Sequence, residues 1–68
     1  MTTYPAGSHR VTVWFKWATG ETGDYGIDLA HAVDVTREQL VDEALRVITT
    51  ERGHEFPPGP YTWQAGIR

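Results

Sequence analysis

Any chemistry in this chain would start from His9, His31 and His54, from Ser8 and the threonines, and from nine Asp and Glu residues, since there is no cysteine. Asp28 and His31, like Glu51 and His54, are three residues apart, a spacing that puts two ligands on one face of a helix. Neither pair has the further donors of an HExxH motif or a dense ligand cluster, and Asp28 and His31 fall at the end of a strand pattern. Solvated surface histidines are therefore expected, and no metal. Nothing places Ser8 or a threonine beside a base that a third group holds, which nucleophilic catalysis requires. The carboxylates fall mostly on the solvent side of a helical pattern, where pKa values are seldom tuned for acid and base work. Gly20-Glu-Thr-Gly23 lacks the spacing and the following helix of a phosphate loop. A chain of this size also leaves little room for a ligand cavity of about 300 Å³. The expectation is no catalytic residue, no cofactor and no enzyme.

What remains is recognition chemistry. Trp14 has the opposite strand parity to Val13 and Phe15, which places it among Arg10, Thr12 and Lys16 and, from a later strand, Thr62, Gln64 and Arg68. A large aromatic ring with cations on an open sheet face is the composition of a binding hot spot, and some sheet domains stack single-stranded bases on such a face. Arg10, Thr12, Trp14, Lys16, Gln64 and Arg68 are accordingly the candidate partner-binding residues. The alternative is that Trp14 lies half exposed or under Tyr4 and Pro5, as single apolar surface residues often do. Pro57-Pro58-Gly59-Pro60 lacks the PxxP spacing of a ligand for SH3 domains and reads as a rigid loop.

Four elements must hold these residues. His9-Arg-Val-Thr-Val-Trp-Phe-Lys-Trp17 alternates with period two in β-branched and aromatic residues, the signature of a strand. Ala18-Thr-Gly-Glu-Thr-Gly23 suits a hairpin connection, and Asp24-Tyr-Gly-Ile-Asp-Leu-Ala30 alternates again as the return strand. The same parity runs on through His31, Val33 and Val35, so the end of that strand is left open. Thr36 with Gln39 forms a capping box, and Val35 with Leu40 a hydrophobic staple, which together start a helix over 36–52. Gly53 suits the position just past its end. Three prolines then break the chain before Tyr61-Thr-Trp-Gln-Ala-Gly-Ile-Arg68, a last alternating strand. The face toward the helix is expected to hold Val11, Val13, Phe15, Trp17, Tyr25, Ile27, Leu29, Leu40, Val41, Ala44, Leu45, Ile48, Trp63 and Ile67.

The order β, β, α, β predicts an α+β fold: a three-stranded mixed sheet in the order 2-1-3, with the last strand parallel to the first and one helix on one face. In topology alone this plan resembles a minimal β-grasp, the arrangement of ubiquitin-like proteins. Carrier members of that group end in Gly-Gly, and Gly66-Ile67-Arg68 does not, so carrier activity is not expected. Residues 1–8 read as a flexible lead-in and 9–68 as a single ββαβ domain.

With 68 residues, no disulfide and a net charge of −3, the chain has to stabilise itself through its core or a second subunit. The acidic balance argues against a protein that neutralises many phosphates. No apolar run approaches the roughly 18 residues of a membrane span, and residues 1–8 lack the features of a signal peptide. A cytoplasmic location is expected, with no membrane partner. The sequence thus points to a small non-enzymatic protein-interaction module, regulatory or accessory, that binds a partner through an exposed sheet face or edge. Nucleic-acid binding by the Arg10, Trp14, Lys16 face is the second reading, and a homodimer through the same surface the third.

Overall fold

A computed structural model describes residues 3–68. The strands are β1 (Thr3–Tyr4), β2 (Gly7–Trp17), β3 (Thr22–His31), β4 (Val35–Thr36) and β5 (Tyr61–Ile67), and one helix, α1 (Arg37–Arg52), precedes a short 3-10 turn, Gly53–Glu55. β2 and β3 form the hairpin, in register from Gly7 opposite His31 to Lys16 opposite Thr22. β5 pairs with the other side of β2, giving the order β3-β2-β5. The fold is therefore α+β, with one helix on one antiparallel sheet.

The sheet is not mixed, which corrects the expectation of a last strand parallel to the first. β5 runs antiparallel to β2, with Trp17 opposite Tyr61 and Val11 opposite Ile67. The physical reason lies in which strand feeds the helix. Chain order sends β3, not β2, into α1, so the crossover rule for parallel strands applies to β3 and β5. These two do run parallel, because each is antiparallel to the β2 that separates them. The parallel pairing of first and last strands that suggested a β-grasp plan is absent.

The amino-terminal residues also gain structure that sequence pattern did not assign. β2 begins at Gly7, and Thr3 and Tyr4 pair with Thr36 and Val35 in a separate two-stranded ladder. The Asp34 carboxylate accepts from the Ala6 N–H at 3.0 Å, and His9 Nε2 lies 2.7 Å from the Pro5 carbonyl oxygen. Of the 1–8 lead-in, Met1 and Thr2 lie outside the described residues.

The helix start is built as its residues dictate. Gln39 N–H donates to Thr36 Oγ1 at 3.1 Å, and Thr36 N–H donates to Gln39 Oε1 at 2.8 Å, so two donors of the first turn are satisfied reciprocally. Val35 and Leu40, the staple residues, are both in the core. Thr36→Ala is expected to cost about 1 kcal/mol and to lower Tm by about 4–8 °C in a domain this small, measurable by thermal unfolding. The helix does not end in a left-handed glycine. Gly53 has φ −56 and opens the 3-10 turn instead, which delivers Phe56 to the end of the sheet.

Phe56 belongs to a cluster that closes that end. Its ring centroid lies 5.1 Å from Phe15, 5.2 Å from Trp17, 5.6 Å from Tyr25 and 5.9 Å from Tyr61. Val11, Val13, Phe15 and Leu40 are the largest fully buried side chains. α1 packs over β2 and β3, which leaves part of β5 without a helix above it. Trp63 shares the inner face with its cross-strand partner Phe15, yet it is 43% exposed while Phe15 is 1% exposed. The expectation that Trp63 is core is thus corrected: parity is right and cover is missing.

Candidate interaction surface

The outer face of the sheet is assembled by register in four rows, each centred on a β2 residue. Arg10 stands between Asp28 and Arg68, Thr12 between Gly26 and Gly66, Trp14 between Asp24 and Gln64, and Lys16 between Thr22 and Thr62. Successive strand residues point to opposite faces, so these rows share the side away from the helix. The structure therefore brings Arg10, Thr12, Trp14, Lys16, Gln64 and Arg68 onto one surface. Among the described residues no second layer covers it, since the Cα trace is only 14 Å deep in its shortest dimension, about one sheet and one helix.

Two glycines shape the surface. A Cβ at Gly66 would lie 3.2 Å from two ring carbons of Trp14, and one at Gly26 would lie 2.7 Å from Arg10 Nη2. The absence of these side chains lets the indole lie toward β5 and the guanidinium toward β3, so both large groups lean across the flat Thr12 row. Trp14 remains 49% exposed. Tyr4 does not cover it: its ring meets His9 edge to face at 5.5 Å and packs against the core on the helix side.

Charge on this face is mixed. Arg10 Nη1 lies 3.2 Å from Asp28 Oδ1 in an exposed ion pair, a contact worth at most about 1 kcal/mol. Asp24 sits directly across from Trp14. The three cations Arg10, Lys16 and Arg68 are thus interleaved with two carboxylates rather than gathered into a basic patch. Beside Trp14 and Lys16 lies a depression of about 400 Å³, walled by Thr22, Asp24, Thr62 and Gln64. The expectation of no such volume is corrected in size but not in kind, because this is an open hollow in a sheet face.

The surface continues around β5. Tyr61 and Trp63, 39% and 43% exposed, lie on the helix side of the same strand whose outer side carries Gln64 and faces Trp14. Sequence parity located both faces, but exposure of Trp63 could be found only once the helix was placed. The only signal in the sequence was the lack of any charge from Tyr61 to Ile67, which leaves an edge strand without the usual deterrent to pairing.

The histidines are held by other groups than those their spacing proposed. His31 Nε2 donates to Glu43 Oε2 at 2.7 Å, tying the end of β3 to α1, and His54 Nε2 lies 3.6 Å from Glu55. Neither Asp28 with His31 nor Glu51 with His54 gathers further ligands: among the described residues no group of three or more His, Asp and Glu is placed to hold a metal ion. Among the described residues no helix is long and apolar enough to cross a membrane. No family model, no curated protein and no solved structure matches this chain.

Proposed function

We propose that this protein is a small non-enzymatic interaction module, regulatory or accessory, that binds a protein partner through the open sheet face around Trp14 and the adjoining edge of β5. The observation that carries this reading is the placement of two half-exposed tryptophans, Trp14 and Trp63, on opposite sides of the same uncovered margin of the sheet. Aromatic anchors bordered by polar residues are the composition of protein interface hot spots. The proposed activity is recognition alone, with no catalytic step. A cytoplasmic setting remains part of the proposal. Capture of partners from the native cell by the wild-type chain and by Trp14→Ala tests it. Loss of the captured protein in the variant, with the fold intact, supports the face, and equal capture rejects it.

The second reading, binding of single-stranded nucleic acid by Arg10, Trp14 and Lys16, draws on the indole and the neighbouring cations. Asp24 and Asp28 on the same face oppose it. Such binding would weaken steeply with salt, by roughly 0.7 of a logarithmic unit in affinity per phosphate contacted for each tenfold rise. The expected result of titrating the protein with a labelled oligonucleotide at low salt is no saturable binding. A steep salt-dependent isotherm would replace the protein-binding reading with this one.

A further inference from the structure

We infer that β5 pairs antiparallel with β5 of a second copy of this chain, about a two-fold axis at Gln64, to join two three-stranded sheets into one. The inference rests on the interaction reading above and names one occupant for the β5 edge.

Backbone geometry shows which groups are free to do this. Arg10 N–H donates to Arg68 O at 3.2 Å and Arg68 N–H to Arg10 O at 2.9 Å. In an antiparallel ladder such exchanged pairs alternate with positions whose backbone groups point away. Thr62, Gln64 and Gly66 therefore bond to β2, while Tyr61, Trp63, Ala65 and Ile67 turn their N–H and C=O groups to the open edge. Arg37 Nη2 donates to Ala65 O at 2.8 Å, which occupies one lone pair of that carbonyl and leaves the other for a partner strand.

Charge selects this edge over the opposite one. By the same alternation β3 turns Asp24, Gly26, Asp28 and Ala30 outward, so self-pairing there would bring carboxylates together. β5 has no charged side chain between Tyr61 and Ile67. Size selects the register. With the axis at Gln64, Trp63 stands opposite the partner's Ala65, Tyr61 opposite the partner's Ile67, and Thr62 opposite the partner's Gly66. Each large side chain meets a smaller one. Tyr61 and Trp63 fall where α1 leaves β5 uncovered, so Trp63 gains cover from the partner that its own helix does not provide. On the outer face the two Gln64 side chains meet at the axis, where each amide can donate to and accept from the other.

The test uses the full chain and the self-opposition of Gln64. Sedimentation equilibrium from about 10 µM to about 1 mM, the range in which a small interface dissociates, should show the mass rising from 7.7 kDa toward twice that value. Gln64→Lys and Gln64→Glu each set like charges directly across the axis, about 5 Å apart. Each alone is expected to weaken association at least tenfold while melting like the wild type at concentrations where both are monomeric, since Gln64 is exposed and its backbone bonds to β2 are kept. An equimolar mixture should restore association, because opposite charges then face each other. A wild-type monomer throughout this range, undiminished association of either single variant, or a mixture no better than its components would each overturn the inference. A monomer that still captures a partner in a Trp14-dependent way would remove the dimer and leave the interaction reading standing.

Discussion

Phe15→Ala is expected to remove about 4 kcal/mol of stability and to leave most of the chain unfolded at 25 °C. Phe15 is 1% exposed, and its ring stands within 5.1–5.8 Å, centroid to centroid, of Trp17, Tyr25, Phe56 and Tyr61. Those rings come from β2, β3, the turn after α1 and β5, so one side chain is the common neighbour of four separate segments. Its removal leaves a cavity that the stiff strands on either side can only partly close, and the cavity cost adds to the lost transfer energy. Small domains without disulfides rarely hold more than about 3–5 kcal/mol in total. Urea unfolding followed by circular dichroism measures the loss. A change below about 1 kcal/mol would mean that the aromatic cluster is not what closes this end of the sheet.

Trp14→Ala should behave in the opposite way, with little effect on the fold and a large one on binding. The indole is about half exposed and lies across a sheet face with nothing packed above it, so its truncation leaves no internal cavity. A stability change within about 1 kcal/mol is expected, as for other surface sites away from caps and cores. In the proposed complex the same ring becomes a buried anchor, and hot-spot truncations cost about 2 kcal/mol or more, roughly a thirtyfold weaker Kd. Titration of the captured partner with wild-type and variant protein separates the two effects. Weak binding with an unchanged melting curve supports Trp14 as the anchor. Unchanged binding moves attention to the β5 edge alone, and a collapsed fold would show that Trp14 is structural.

Local rules carried much of this structure. Thr36 and Gln39 are three residues apart, and their capping box formed as that spacing required. The alternation of Val11, Val13, Phe15 and Trp17 against Arg10, Thr12, Trp14 and Lys16 also settled both faces of β2, because a period of two leaves no third arrangement. What could not be read was anything set by the placement of one element on another. The direction of β5 depends on which strand feeds the helix: the crossover rule governs β3 and β5, not β2 and β5. Trp63 has core parity, but its burial depends on a helix that lies over β2 and β3. Thr3 and Tyr4 gained a partner only because the chain before α1 passes beside them, and two residues have no periodicity to reveal that. Phe56, lodged between a glycine and two prolines, gave no pattern at all and became a central ring of the cluster. The six candidate binding residues came together for the opposite reason: five belong to two strands and Arg68 follows directly on β5, so register alone fixes their neighbours.

Hydrogen exchange on the chain with and without its captured partner measures most directly where that partner touches. The indole N–H of Trp14 should exchange more slowly in the complex than in the chain alone, whereas the outward N–H groups of Trp63, Ala65 and Ile67, already bonded to the second copy, and the solvent side of α1 around Glu38, Asp42 and Arg46 stay unchanged. Slowing confined to that side of the helix, with the Trp14 indole exchanging as in the chain alone, would contradict Trp14 as the point of contact.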